Sequence, residues 1–143
     1  MSVTQISAQE AFELLKNDQN SALIDVRTFE EFNFVGFVNA ASFNNRMVLL
    51  PWQIFPAMSE NPEFAPALES ALKKIFADKA QEANLIFICR TGGRSNQAAN
   101  YAKNLGYQNC SNLVGGFEGD LNQQEQRGQV NGWKAENLPW RQK

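Results

Sequence analysis

The chain contains no histidine. That excludes Cys–His and Ser–His dyads, histidine zinc sites and any imidazole acid or base. Cysteine is also scarce. Cys89 and Cys110 are the two present, too few for a disulfide framework, and no CxxC pair marks a zinc ribbon. Neither sign of charge dominates: the net charge is -2 and no long basic stripe occurs. Nucleic acid is therefore not an expected partner. No apolar run approaches the roughly 18 residues needed to cross a bilayer. The start, "MSVTQISAQEAFELL", has neither the basic end nor the apolar stretch of a secretory signal. These absences predict a cytoplasmic protein with no membrane partner, no metal and no cofactor.

What is present fits a globular protein. Hydrophobic residues make up 43% and charged residues 20% of 143 positions. That length holds one domain with a real core, over residues 1–143. "ISAQEAFELLK" opens a helix with Ser7 as N-cap and Glu10 completing a capping box. "ALIDV" (22–26) reads as a buried parallel strand. "TFEEFNF" reads as a short helix and "FVNAASF" as a further strand. This pattern predicts a layered α/β domain.

Residues 44–62 are irregular yet rich in large apolar groups, which a solvent loop does not need. Trp52 and Phe55 there are either core anchors or the rim of a site. A helix follows, with Asn61 as N-cap and Pro62 at its first position. Its buried stripe is Phe64, Leu68, Ala71, Leu72, Ile75 and Phe76, and Glu69 can pair with Lys73 at i,i+4. "NLIFIC" (84–89) is the clearest buried strand. A helix is expected from Ser95, with Ala98, Ala99, Ala102 and Leu105 inward and Gly106 at its end. "QNCSNLVGG" reads as another strand. "DLNQQEQRGQVNG" is polar and reads as an exposed excursion, and Trp133 and Trp140 as anchors for the end of the chain.

The chemistry concentrates in "CRTGGRS" (89–95). Cys89 stands where a strand gives way to a helix, and ligands of open α/β sheets collect outside the carboxyl ends of strands. Gly92 and Gly93 permit a tight arc whose N–H groups form an anion-binding nest. The helix start adds its positive dipole end. Arg90 and Arg94 add formal charge. Each favours thiolate over thiol at Cys89. The bland alternative is a small buried hydrophobe beside a glycine turn.

At this loop the sequence resembles the rhodanese domain, a sulfurtransferase family. "LIDVRTFEEFNFVGFVNAASF" resembles its strand–turn signature, "CRTGGRS" its active-site loop, "GYQNCSNLVGGFEG" its late strand, and "GWKAENLPW" its ending. The resemblance implies a five-stranded, mainly parallel sheet with helices on both faces. It implies a ping-pong reaction in which Cys89 becomes a persulfide. The cradle would be built from Arg90, Thr91, Gly92, Gly93, Arg94 and Ser95. A small anionic sulfur donor such as thiosulfate, a thiol or cyanide acceptor and a sulfur-carrier protein are the partners it implies. Gly36–Phe37 stands where many relatives carry Gly-His, and 44–62 and 120–132 read as insertions.

Asp25 ends a buried strand and is expected to support the loop or a backbone donor, because an unpaired charge there is costly. Arg27 is expected to form a surface or turn pair with Glu30 or Glu31, worth little energetically. Cys110 reads as core, with a resolving role as the alternative. Enzymatic rivals are a cysteine phosphatase or arsenate reductase, but a tetrahedral oxyanion needs a roomier Cys-x5-Arg loop. Here only four residues separate Cys89 from Arg94. A non-catalytic regulatory module is the third reading, against which the retained cysteine speaks.

Overall fold

The computed structural model describes residues 3–54 and 57–142; Phe55 lies outside them. The elements in chain order are β1 (Thr4–Ile6), α1 (Ala8–Asn17), β2 (Ser21–Asp25), α2 (Phe29–Val35), β3 (Phe37–Val38), β4 (Met47–Leu49) and β5 (Gln53–Ile54). There follow β6 (Ser59–Glu60), α3 (Phe64–Phe76), β7 (Asn84–Ile88), α4 (Gly93–Asn104), β8 (Asn109–Leu113), α5 (Gly132–Ala135) and β9 (Trp140–Arg141). Five strands form one sheet in the order β1-β8-β7-β2-β4. Every pairing in it is parallel.

Strand alternation explains why both faces carry helices. Ala22, Ile24, Leu85 and Phe87 face a core shared with Leu68 and Leu72 of α3 and Ala98, Ala99 and Ala102 of α4. Leu23, Ile86 and Ile88 face the opposite core, with Ala11 and Leu15 of α1 and Trp133 of α5. A strand apolar on both sides fits the middle of a covered parallel sheet, and β7 is its central strand. The alanines of α4 keep that helix close to the sheet, because they hold no bulk between backbone and strand.

Several local expectations hold. The Ser7–Glu10 capping box is formed at α1. Lys73 Nζ lies 3.2 Å from Glu69. Trp133 is fully buried, whereas Trp140 is 40% exposed and packs edge-on against Phe117. Trp52 is buried against Phe64. Among the described residues, no helix is long and apolar enough to cross a membrane.

Others are corrected. "FVNAASF" is not a strand of the main sheet. Phe37–Val38 pairs antiparallel with Trp140–Arg141, and Ala41–Phe43 turns as a 3-10 helix. The fifth strand is Met47–Leu49, inside the segment read as an insertion. Its three half-buried residues carry no clear period, so the sequence pattern does not expose it. Helix α3 starts at Phe64 rather than Pro62, because Asn61 Oδ1 accepts from the Glu63 N–H and makes a turn before the helix. Ile75 and Leu105 are exposed at 36% and 41%. Each sits at the margin of its helical stripe, where apolar character does not ensure burial.

Candidate active site

Cys89 follows β7 directly and is 1% exposed. Its sulfur accepts from the Gly92 N–H at 3.1 Å. Helix α4 begins at Gly93, two residues before the expected Ser95, so Arg94 and Ser95 lie in its first turn. Among the described residues, the N–H groups of Gly93, Arg94 and Ser95 have no protein acceptor. They are the free donors of a helix start, carrying the positive end of its dipole.

The loop is held by its carbonyls. Phe117 N donates to Cys89 O at 2.8 Å, and Glu118 N donates to Arg90 O at 3.0 Å. Planar trans peptides point N–H opposite to C=O. Drawing those two carbonyls toward residues 117–118 thus turns the N–H groups of Arg90 and Thr91 the other way. Gly116 makes the approach possible. A Cβ there would lie 2.5 Å from Cys89 O, and its φ is +62°.

The two loop glycines differ. Gly92 has φ +113°, which side chains rarely adopt, whereas Gly93 has open space where a Cβ would stand. Gly92→Ala is expected to cost about 1–3 kcal/mol in strain and to spoil sulfur uptake. Gly93→Ala, inside a helix turn, should be neutral or stabilising by up to about 1 kcal/mol. Urea midpoints of both variants check this contrast.

Ser95 is fully buried, and its Oγ lies 3.2 Å from Cys89 Sγ and 2.6 Å from Asn112 Oδ1. Asn112 Nδ2 donates to Gln5 Oε1, and Gln5 Nε2 to Asn96 Oδ1. This amide chain ties β1, β8 and α4 together behind the sulfur. The single hydroxyl proton can serve Asn112, the Gly92 carbonyl at 3.2 Å or a charged sulfur.

Both loop arginines are met by carboxylates. Arg94 makes a two-pronged bond to Glu31, at 2.6 and 2.8 Å. Arg90 Nε lies 3.1 Å from Glu118. Glu31 is also the N3 residue of the α2 capping box with Thr28. Burial opposes its charge, but the Arg94 and Thr28 donors outweigh that and lower its carboxyl from 4.5 to about 2. The ionised form thus stabilises the fold fully above about 4.5, and this share is lost as pH falls toward 2. The stability gap between wild type and Glu31→Gln should close over that window, as read by urea midpoints.

The expected Arg27–Glu30 or Glu31 surface pair is not formed. Arg27 and Asp25 are both 0% exposed and bonded to each other, with Arg27 Nη2 to Asp25 Oδ2 at 2.7 Å. Arg27 also donates to Gly36 O and lies 4.5 Å from the Phe117 ring centroid. The strand end turns Arg27 back under the sheet margin, so its nearest carboxylate is two residues earlier. Asp25 Oδ1 accepts the Arg27 backbone N–H, the support expected of it. Cys110 is buried in the core, and burial pushes its thiol up to about 12.

A cavity of about 660 Å³ opens beside the loop, lined by Arg90, Arg94, Glu30, Glu31, Glu118 and neighbouring groups. A second, of about 440 Å³, is lined by Thr91, Gly92, Gly93 and the Gln5–Asn112–Asn96 amides. The 120–132 segment is a chain of turns whose Asn131 Oδ1 accepts from Asp120 N.

Sequence reading did not find Glu118, Gln5, Asn112 or Glu31 as the partner of Arg94. The Thr28-x-x-Glu31 spacing was the one available signal for Glu31.

The rhodanese-like domain pattern matches residues 7–123. The chain belongs to the rhodanese-like domain family. An uncharacterized protein of Rickettsia rickettsii is 40% identical over 140 residues, 98% of either chain. A counterpart in Rickettsia prowazekii is 37% identical over the same shares. The crystal structure of Rv0390 from M. tuberculosis covers 100% of both chains at 31% identity, with TM-score 0.84. The polysulfide-sulfur transferase homodimer of Wolinella succinogenes shares the rhodanese-like fold. It has 19% identity and TM-score 0.61, covering 99% of this chain and 80% of that one.

Proposed function

We propose that this rhodanese-like chain is a sulfurtransferase that carries sulfane sulfur on Cys89. The observation behind the reading is the cradle itself. Gly92 N–H reaches Sγ at 3.1 Å, and three free helix-start donors follow within the short loop. Charge on an attached sulfur meets donors already in place, so little reorganisation is needed. The Cys89 thiolate attacks the outer sulfur of a donor such as thiosulfate or a persulfide. The donor's S–S bond breaks, and sulfite or a thiolate leaves with the electron pair. Cyanide or a thiol then attacks the outer sulfur of the Cys89 persulfide and releases the Cys89 thiolate. A sulfur-carrier protein can take either partner role, in the cytoplasm.

The four-residue spacing and the 1% exposure of Cys89 favour a single sulfur atom over a tetrahedral oxyanion. The test is intact mass after incubation with thiosulfate or a persulfide. One added sulfur per chain, released by cyanide as thiocyanate, is expected. Turnover of phosphate esters or arsenate without sulfur uptake would overturn the reading.

A further inference from the structure

Behind the sulfur, Ser95, Asn112, Gln5 and Asn96 form one hydrogen-bonded chain that runs from the core to the surface. Ser95 Oγ donates to Asn112 Oδ1 at 2.6 Å, Asn112 Nδ2 to Gln5 Oε1 at 2.9 Å, and Gln5 Nε2 to Asn96 Oδ1 at 2.8 Å. Every link points the same way. The direction is biased at the outer end, where Gln5 Nε2 also donates to Val3 O. It places the Ser95 proton on Asn112. The Ser95 oxygen, 3.2 Å from Cys89 Sγ, then accepts from a thiol but gives no proton to an anion.

The reverse direction is open as well. A side-chain amide carries a donor and an acceptor on one carbon, so turning Asn96, Gln5 and Asn112 over keeps all three links. Asn96 then donates to Gln5, Gln5 to Asn112, and Asn112 to Ser95, whose proton is released toward the sulfur. The amides border the cavity of about 440 Å³ beside Gly92 and Gly93, where water can meet the turned outer groups. Asn112 is 4% exposed, so an oxygen left unpaired there while Ser95 serves the sulfur is costly. The hydroxyl therefore turns together with the chain.

Resting on the sulfur-transfer reading, we propose that Asn112 is a positioning residue: it holds the Ser95 proton away from a Cys89 thiol and, when the amide chain reverses, releases it to a thiolate or persulfide anion. Charge on the sulfur and the direction of the chain are then coupled. The reversal makes and breaks no bond to sulfur, and on ionisation the thiol proton goes to water. The charged groups around Cys89 are Arg94 with Glu31, the Asp25–Arg27 pair, and Arg90 with Glu118, on which Lys134 also acts. Among the described residues, none of them is hydrogen-bonded to the amides of the chain.

The test is the pH dependence of Cys89 alkylation by iodoacetamide, read by peptide mass so that Cys110 does not count. Gln5 is exposed and uncharged, which makes Gln5→Leu the main variant. It frees Asn112 to turn over, so the alkylation midpoint should fall by about half a pH unit. Asn112→Leu deletes the acceptor and should lower the midpoint by about one pH unit, the scale of a hydrogen bond to a charged atom. In a Ser95→Ala background both shifts should vanish, since no hydroxyl remains to turn. Sulfur loading is read alongside by intact mass. A Gln5→Leu midpoint equal to that of wild type overturns the proposal, as does an undiminished shift in the Ser95→Ala background. If the midpoints move as expected while no variant loads sulfur, the transfer reading fails and the role of Asn112 stands; if sulfur loads and the midpoints stay put, the role of Asn112 alone fails.

Discussion

Cys89→Ser is expected to take up no sulfane sulfur from any donor. Transfer should fall on the order of 10³-fold or more, the scale seen when a covalent nucleophile is deleted. The hydroxyl is of similar shape, so the Gly92 and Ser95 contacts to the 89 position can persist. What is lost is a soft, easily ionised atom able to form the S–S bond. Cys110 supplies the internal control. Burial raises its thiol to about 12, so almost none is thiolate at neutral pH. Cys110→Ser should therefore load one sulfur per chain as wild type does. Intact mass with cyanide release separates the two variants. Equal transfer by Cys89→Ser and wild type would sink the covalent mechanism.

Arg27→Met is expected to destabilise the protein by about 3–5 kcal/mol, because it leaves the Asp25 carboxylate buried without its partner. Both side chains are 0% exposed and share several hydrogen bonds. Removing one member strands the other's desolvation cost, whereas removing both does not. Asp25→Leu combined with Arg27→Met should thus lose less than the sum of the single changes. Denaturant unfolding of the four proteins measures the coupling. Strictly additive losses would show that the pair is not a unit. The pair also fixes Gly36 O, and through it the end of α2. The double variant should thus retain its fold while loosening the α2 side of the cavity.

Much of the fold is legible along the chain because its signals are local. The Ser7–Glu10 and Thr28–Glu31 boxes lie within single helical turns. The apolar run 85–88 is buried on both faces wherever it sits in a covered parallel sheet. The β4 edge strand was not legible. Its residues are half-buried and lack alternation, so pairing with β2 alone makes it a strand. The start of α4 was displaced for a related reason. A glycine with φ +113° replaces the side-chain cap that a reader looks for.

The arginines show the same limit in the site. Formal charge beside Cys89 is visible in "CRTGGRS", and it reads as an anion receptor. In the fold, Glu31 approaches Arg94 across 63 positions and Glu118 approaches Arg90. Those carboxylates offset part of the charge that the loop alone displays, most fully at Arg94, whose guanidinium is bonded to both oxygens of Glu31.

By itself, the sequence determined the candidate nucleophile, the absence of an imidazole to assist it, and the length of its loop. These depend only on residue identity and spacing. Tertiary structure alone decided which carboxylate meets which arginine, and that Gly116 lets residues 117–118 draw the loop carbonyls away. Those contacts join segments brought together by strand order, and no local period along the chain encodes them.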